Sequence, residues 1–140
     1  MIGYSSLTAV IALTLAGCGS AFNGTYALQQ TGGPQCSTGY TLGSTTQSVN
    51  MVITQNGSGI TGTGSGSCGA ESLVGTVSGN SGTATLTITS QTYGATCTYN
   101  GPITVQSNVI SGTLNAQNNS GITSYGYCGT SVSFTGTKTN

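Results

Sequence analysis

After residue 21, apolar and polar residues alternate with a period of two through most of the chain. The segment TATLTIT, residues 83–89, shows it most clearly: Ala84, Leu86 and Ile88 fall on one side and four threonines on the other. Successive side chains of a strand point to opposite faces, so this is the pattern of a half-buried β-strand. Val49, Met51 and Ile53 repeat it, as do Ile103 with Val105 and Val132 with Phe134. Turn-forming clusters separate the runs, namely Asn56-Gly57-Ser58-Gly59, Gly79-Asn80-Ser81-Gly82 and Asn100-Gly101-Pro102. The predicted strands are 22–30, 48–55, 59–65, 72–78, 82–90, 95–100, 102–107, 109–115 and 130–137. No stretch of this region carries the longer period of an amphipathic helix.

A short motif, apolar-x-Gly-Thr, recurs within the strands. It stands at Phe22–Thr25, Ile60–Thr63, Leu73–Thr76, Ile110–Thr113 and Phe134–Thr137. Residues two apart share a face, so each glycine points inward beside its apolar partner and each threonine points outward. Inward glycines allow sharp bends and close approach by neighbouring side chains. Bends repeated around a sheet are what closure requires. The expected fold is therefore all-β, an antiparallel up-and-down barrel of about eight or nine short strands, with a β-sandwich as the alternative. The first and last strands both carry the motif, and their pairing would close the barrel and remove exposed edges. The rhythm Gly59-Ile60-Thr61-Gly62-Thr63 resembles the avidin and streptavidin meander. That family's biotin pocket relies on tryptophans, and this chain has none. The resemblance thus implies a barrel and not the ligand.

Composition sharpens the picture. The chain has 140 residues, of which 26 are threonine and 24 glycine, while Glu71 is the only acid and Lys138 the only base. With no basic patch, binding to nucleic acid through phosphate contacts is excluded, and so is electrostatic steering of a charged partner. Stability is expected to vary little with pH, since so little titrates.

The N-terminal residues follow different rules. LTAVIALTLA, residues 7–16, is an apolar run of ten, too short to span a bilayer as a helix. It fits the hydrophobic part of an export signal. Leu15-Ala16-Gly17-Cys18 resembles the lipobox of bacterial lipoproteins, although MIGYSS supplies no positive residue ahead of the apolar run. In that family the signal is cut before the cysteine, whose sulfur then carries a diacylglyceryl group. The resemblance implies a signal peptide at 1–17, a lipidated Cys18 and short tether at 18–21, and one β domain at 22–140. It also implies attachment to the membrane of a bacterial cell envelope. Gly19 in place of Asp would imply the outer membrane in a Gram-negative cell.

Five cysteines are an odd number for an exported protein. With Cys18 given to lipid, Cys36, Cys68, Cys97 and Cys128 remain, an even set that reads as two disulfides. Three pairings are possible, and a meander favours Cys36–Cys68 with Cys97–Cys128. Metal binding has little to work with, since the chain has no histidine and no CxxC.

Catalytic chemistry is equally short of parts. A Ser-His-Asp triad and a carboxylate pair are both impossible. Glu71 and Lys138 are expected to be solvated surface charges. Two matches to G-x-G-x-x-G, at 57–62 and 64–69, lack the following helix and acidic residue of a dinucleotide site, and the first is expected to be a hairpin turn. Tyr93, Tyr99, Tyr125 and Tyr127 form the one candidate recognition surface. The expected function is a non-enzymatic, lipid-anchored envelope barrel acting as a structural or interaction module, with no cofactor. A barrel binding a small apolar ligand is the first alternative, and a strand-pairing fibre or adhesin subunit the second.

Overall fold

The structure, a computed structural model, describes residues 19–34, 46–91, 94, 96–117 and 128–140. Eight strands follow in chain order: β1 (Gly24–Pro34), β2 (Thr46–Asn56), β3 (Gly59–Gly66), β4 (Ala70–Ser78), β5 (Ser81–Thr89), β6 (Thr96–Gln106), β7 (Val109–Ala116) and β8 (Cys128–Lys138). Each pairs antiparallel with its neighbours in sequence, and β1 pairs with β8 to close the barrel. The up-and-down topology and the terminal pairing are those that the alternation and the glycine motif predict.

Alternation sorts the side chains. Leu28, Met51, Ile53, Leu73, Leu86, Ile88, Ile103, Ile110, Leu114 and Val132 fill the lumen, each at most 2% exposed. The outward positions are mostly Thr, Ser, Asn and Gln. Their hydroxyls meet across strands, as in Thr31–Thr46 at 3.4 Å, Thr104–Ser111 at 3.2 Å and Thr113–Ser133 at 3.3 Å. Among the described residues the exposed large hydrophobics are Val52, Val74 and Val109, which lie on separate strands.

The motif glycines make room for neighbouring side chains. Gly112 lies opposite Phe134, and a Cβ on Gly112 would stand 2.9 Å from the Phe134 Cζ and 3.0 Å from the Ile103 Cγ2. Phe134 is thereby able to lie across β7 and fill the lumen without overcrowding it.

An up-and-down barrel has two unlike ends. At the hairpin pole, two-residue turns join β2 to β3 (Gly57-Ser58), β4 to β5 (Gly79-Asn80) and β6 to β7 (Ser107-Asn108). Gly57 and Gly79 both have φ of +61°, at the first turn position, where a type II′ turn favours glycine. The opposite ends of the strands, where the chain leaves β1, β3, β5 and β7, form the other end, the loop pole.

Two sequence expectations are corrected. Asn100-Gly101-Pro102 does not turn, so the segments expected at 95–100 and 102–107 are one strand, β6, and the count is eight. The β5–β6 ladder runs straight through Gly101 and Pro102, whereas the β6–β7 ladder skips both. Proline offers no N–H, and β6 accepts a local gap on one side instead of ending. Likewise the first strand, expected at 22–30, runs on through Thr31-Gly32-Gly33-Pro34 as β1, with an irregularity in its pairing to β8 between Gly32 and Pro34.

Candidate functional site

The polar chemistry of the barrel lies inside it. Glu71 is the second residue of β4 and shares the inward face with Leu73 and Val77. It is 4% exposed, which overturns its expected place as a surface charge. Gln30 of β1 and Gln47 of β2 are cross-strand partners, and both are buried beside it. The Gln30 Nε2 donates to Glu71 Oε2 at 2.6 Å, and the Gln47 Nε2 donates to Glu71 Oε1 at 3.2 Å and to Gln30 Oε1 at 3.1 Å. The Gln47 Oε1 in turn accepts from the backbone N–H of Cys68 at 2.9 Å and from the Ser67 hydroxyl at 3.4 Å. A chain of contacts thus runs from the buried acid to the β3–β4 connection at the loop pole.

No cation balances the carboxylate: the single lysine is at the C-terminal end of β8, at the opposite pole. Burial raises the Glu71 pKa from 4.5 to about 7, with the Gln30 hydrogen bond pulling the other way. The ionised group accepts from the two glutamine amides. When the carboxyl is protonated, its other oxygen still accepts from an amide, whereas a half-turn of the Gln30 amide toward the acid proton would set the Gln30 Nε2 against the Gln47 Nε2. The cluster as it stands offers donors to an ionised carboxylate, and an added proton faces one of them.

Among the described residues no other titratable side chain joins it for acid–base work, and the lumen is filled. The lumen around Leu28, Gln30, Met51, Leu73 and Phe134 has no room for a water-sized sphere. A concavity of about 520 Å³ lies outside the barrel, shallow and lined by Gln29, Thr31, Pro102, Thr104, Thr113 and Ser133 among others, all uncharged.

The other predicted site residues are placed as follows. Cys97 and Cys128 form a disulfide with Cα atoms 5.6 Å apart. Both lie beyond the last β7 pairs, Tyr99–Ala116 on the β6 side and Asn115–Ser131 on the β8 side. The bond thus joins β6 to β8 where β7 no longer separates them. Cys68 is also disulfide-bonded, and its partner lies outside the described residues, as do Cys18 and Cys36. Tyr93, Tyr125 and Tyr127 lie outside them too. Tyr99 is 0% exposed and so offers nothing to a recognition surface, contrary to expectation. Its inward place follows from its parity with Cys97, Gly101 and Ile103 on β6. Among the described residues its hydroxyl has no partner in hydrogen-bonding geometry, although the Gly129 backbone is near. Burial raises its pKa, with Gly129 pulling weakly the other way. Lys138 is half-buried, its Nζ 5.7 Å from the centre of the Tyr26 ring, where a cation–π attraction holds it.

Sequence reasoning missed Gln30, Gln47 and the burial of Glu71, and the missing signal was parity. Gln30 is in step with Tyr26 and Leu28, Gln47 with Val49 and Met51, and Glu71 with Leu73 and Val77. Polar identity was allowed to outweigh register. No protein family, curated protein or solved structure matches the chain.

Proposed function

We propose that the protein is a lipid-anchored β-barrel of a bacterial envelope, held through Cys18, that acts as a non-enzymatic structural or interaction module. The filled lumen carries the reading, because among the described residues it leaves neither a substrate nor an apolar ligand a place inside the barrel. The outward face supports it as well. Barrels that cross membranes present an apolar band to lipid, whereas this wall is a lattice of hydroxyls and amides. Attachment to a membrane then needs an anchor outside the barrel, which a lipidated Cys18 would supply; two or three acyl chains are enough for stable anchoring. The β1–β8 pairing, by closing the barrel, speaks against a fibre built by strand exchange.

Two mass measurements test this. Intact mass of protein extracted from its own membrane should show loss of the first 17 residues and an acylated Cys18. An unmodified sulfur would overturn the anchor. Native mass spectrometry before and after organic extraction should show no released small molecule. A stoichiometric apolar ligand would restore the ligand-binding reading.

A further inference from the structure

The chain enters the barrel in a way that fixes which end would face the lipid. Four residues after Cys18, Phe22 is 0% exposed and plugs the hairpin pole. Its backbone N–H donates to Gln55 Oε1 at 3.1 Å, and Asn23 Oδ1 accepts from the Gln55 N–H at 3.1 Å. The Asn23 N–H donates to the Ser20 carbonyl at 2.9 Å, and the Tyr26 hydroxyl donates to the Ala21 carbonyl at 3.3 Å. Ser20 to Asn23 is therefore built into that pole. Only Gly19 separates this fixed turn from Cys18. Two residue steps reach about 7 Å at most, while a strand of this length, tilted as barrels require, carries the loop pole roughly 25 Å away.

We infer that the hairpin pole docks against the phospholipid surface and that the loop pole points away from it. This rests on the proposed acylation of Cys18. The charges agree with it. The docking face consists of Gly57-Ser58, Gly79-Asn80 and Ser107-Asn108, with Lys138 beside them, its N–H bonded to the Asn108 carbonyl at 2.8 Å. The only basic side chain of the sequence thus stands where phosphate headgroups would be. The only acid, Glu71, is buried near the far end. Glu71, Cys68 and the Cys97–Cys128 bond all belong to the exposed, membrane-distal pole.

Because the chain has no tryptophan, a single introduced one reports position cleanly. N80W and S58W place the reporter on the hairpin pole, and Q91W places it on the loop pole; all three positions are exposed. Each full-length lipidated variant is reconstituted in phosphatidylethanolamine–phosphatidylglycerol vesicles containing a phospholipid with a nitroxide headgroup. Fluorescence should be strongly quenched in N80W and S58W and nearly unquenched in Q91W. Lengthening the chain between Gly19 and Ser20 with about ten Gly and Ser residues should relieve the quenching. An acylated protein whose Q91W is quenched as much as the other two, or whose N80W and S58W are both unquenched, would overturn the orientation and leave the anchor standing. A mass without acyl groups would remove the anchor, and the orientation with it. Two hairpin reporters guard against one variant misfolding, which unfolding curves would reveal.

Discussion

The Gln30 side-chain amide donates to the Glu71 carboxylate at 2.6 Å, and the two side chains are 1% and 4% exposed. A carboxylate so placed gives up the hydration it would keep in the unfolded chain, and two neutral amides return only part of it. Its pKa accordingly rises on folding, from 4.5 to about 7. Between those values the folded protein holds a proton that the unfolded chain has released, so stability falls as pH rises. The stabilising contribution is fully present below pH 4.5 and is lost as pH passes through about 7. At roughly 1.4 kcal/mol per pKa unit the loss is about 3 kcal/mol. Urea unfolding at pH 4, 6 and 8 should give the highest stability at pH 4. No Asp or His is present to blur the trend. A flat profile, or one rising toward pH 8, would contradict the burial. This expectation replaces the near-constant stability expected from composition, since one acid in the lumen would outweigh the absence of others outside it.

Glu71→Gln tests the same site from the other side. A neutral amide of nearly the same shape removes the titration and keeps one oxygen that accepts from Gln30 or Gln47, as the protonated acid does. Stability should become independent of pH between 4 and 8, rising above the parent by up to about 3 kcal/mol at pH 8 and staying close to it at pH 4. Glu71→Ala should instead destabilise at pH 4 by about 1–3 kcal/mol, because the Gln30 and Gln47 amides lose their acceptor. Denaturant midpoints of both variants across this range would decide. A pH dependence surviving in Glu71→Gln would place the titrating group elsewhere.

Strand alternation made the wall of the barrel legible from sequence, because a chain of Thr alternating with Ile, Leu or Val has one way to hide its apolar side. The apolar-x-Gly-Thr copies gave the closure as well, since the Phe22 and Phe134 copies sit at the start and end of the sheet. The errors arose where one residue carries two meanings. Pro102 is a turn signal by its ring, yet a strand can keep it by giving up one ladder bond, and that depends on a neighbour far along the chain. Glu71 reads as surface by its charge, yet its burial depends on Gln30 and Gln47, 41 and 24 residues away. Such partnerships are set by which strands close on each other, so no local window contains them.

Gly112 and Phe134 give a packing prediction. A methyl group at Gly112 would meet the Phe134 Cζ at 2.9 Å and the Pro102 carbonyl at 3.0 Å. The ring is enclosed by the lumen, so it cannot swing clear. Gly112→Ala should destabilise by about 1–2 kcal/mol, the cost of overpacking less the entropy that alanine removes from the unfolded chain. Phe134→Leu should destabilise alone by leaving a void, and the double variant should lose less than the sum of the two. A double-mutant cycle in thermal unfolding measures this coupling. Strict additivity would mean that the glycine is not there for the ring.

The Cys97–Cys128 bond spans 31 residues and holds β6 to β8 above the end of β7. Closing a loop of that length restricts the unfolded chain by about 3–4 kcal/mol. Replacing both cysteines by alanine should lower stability by a comparable amount and leave the far-ultraviolet dichroism of the barrel intact below the transition. Amide exchange should quicken first in β7 and at the Cys128 end of β8, where the bond stands in for missing ladder pairs. Uniform acceleration over all strands would indicate a global rather than a local role.

The β6–β7 turn departs from its two counterparts. Ser107 and Asn108 have φ of 50° and 63°, so both central residues are left-handed, as a type I′ turn requires. Asparagine tolerates that region and serine does so poorly, whereas glycine enters it freely. The pair offers no glycine to announce a turn, yet the strands predicted at 102–107 and 109–115 place the break within one residue of it. Asn108→Gly should stabilise by up to about 1 kcal/mol, and Ser107→Asn by a smaller amount, by relieving backbone strain. Ser107→Val should destabilise by more than 1 kcal/mol, since a β-branched side chain at positive φ is strained. Urea unfolding of the three variants should give this order, and a destabilised Asn108→Gly would mean that the Asn108 side chain has a role beyond the turn.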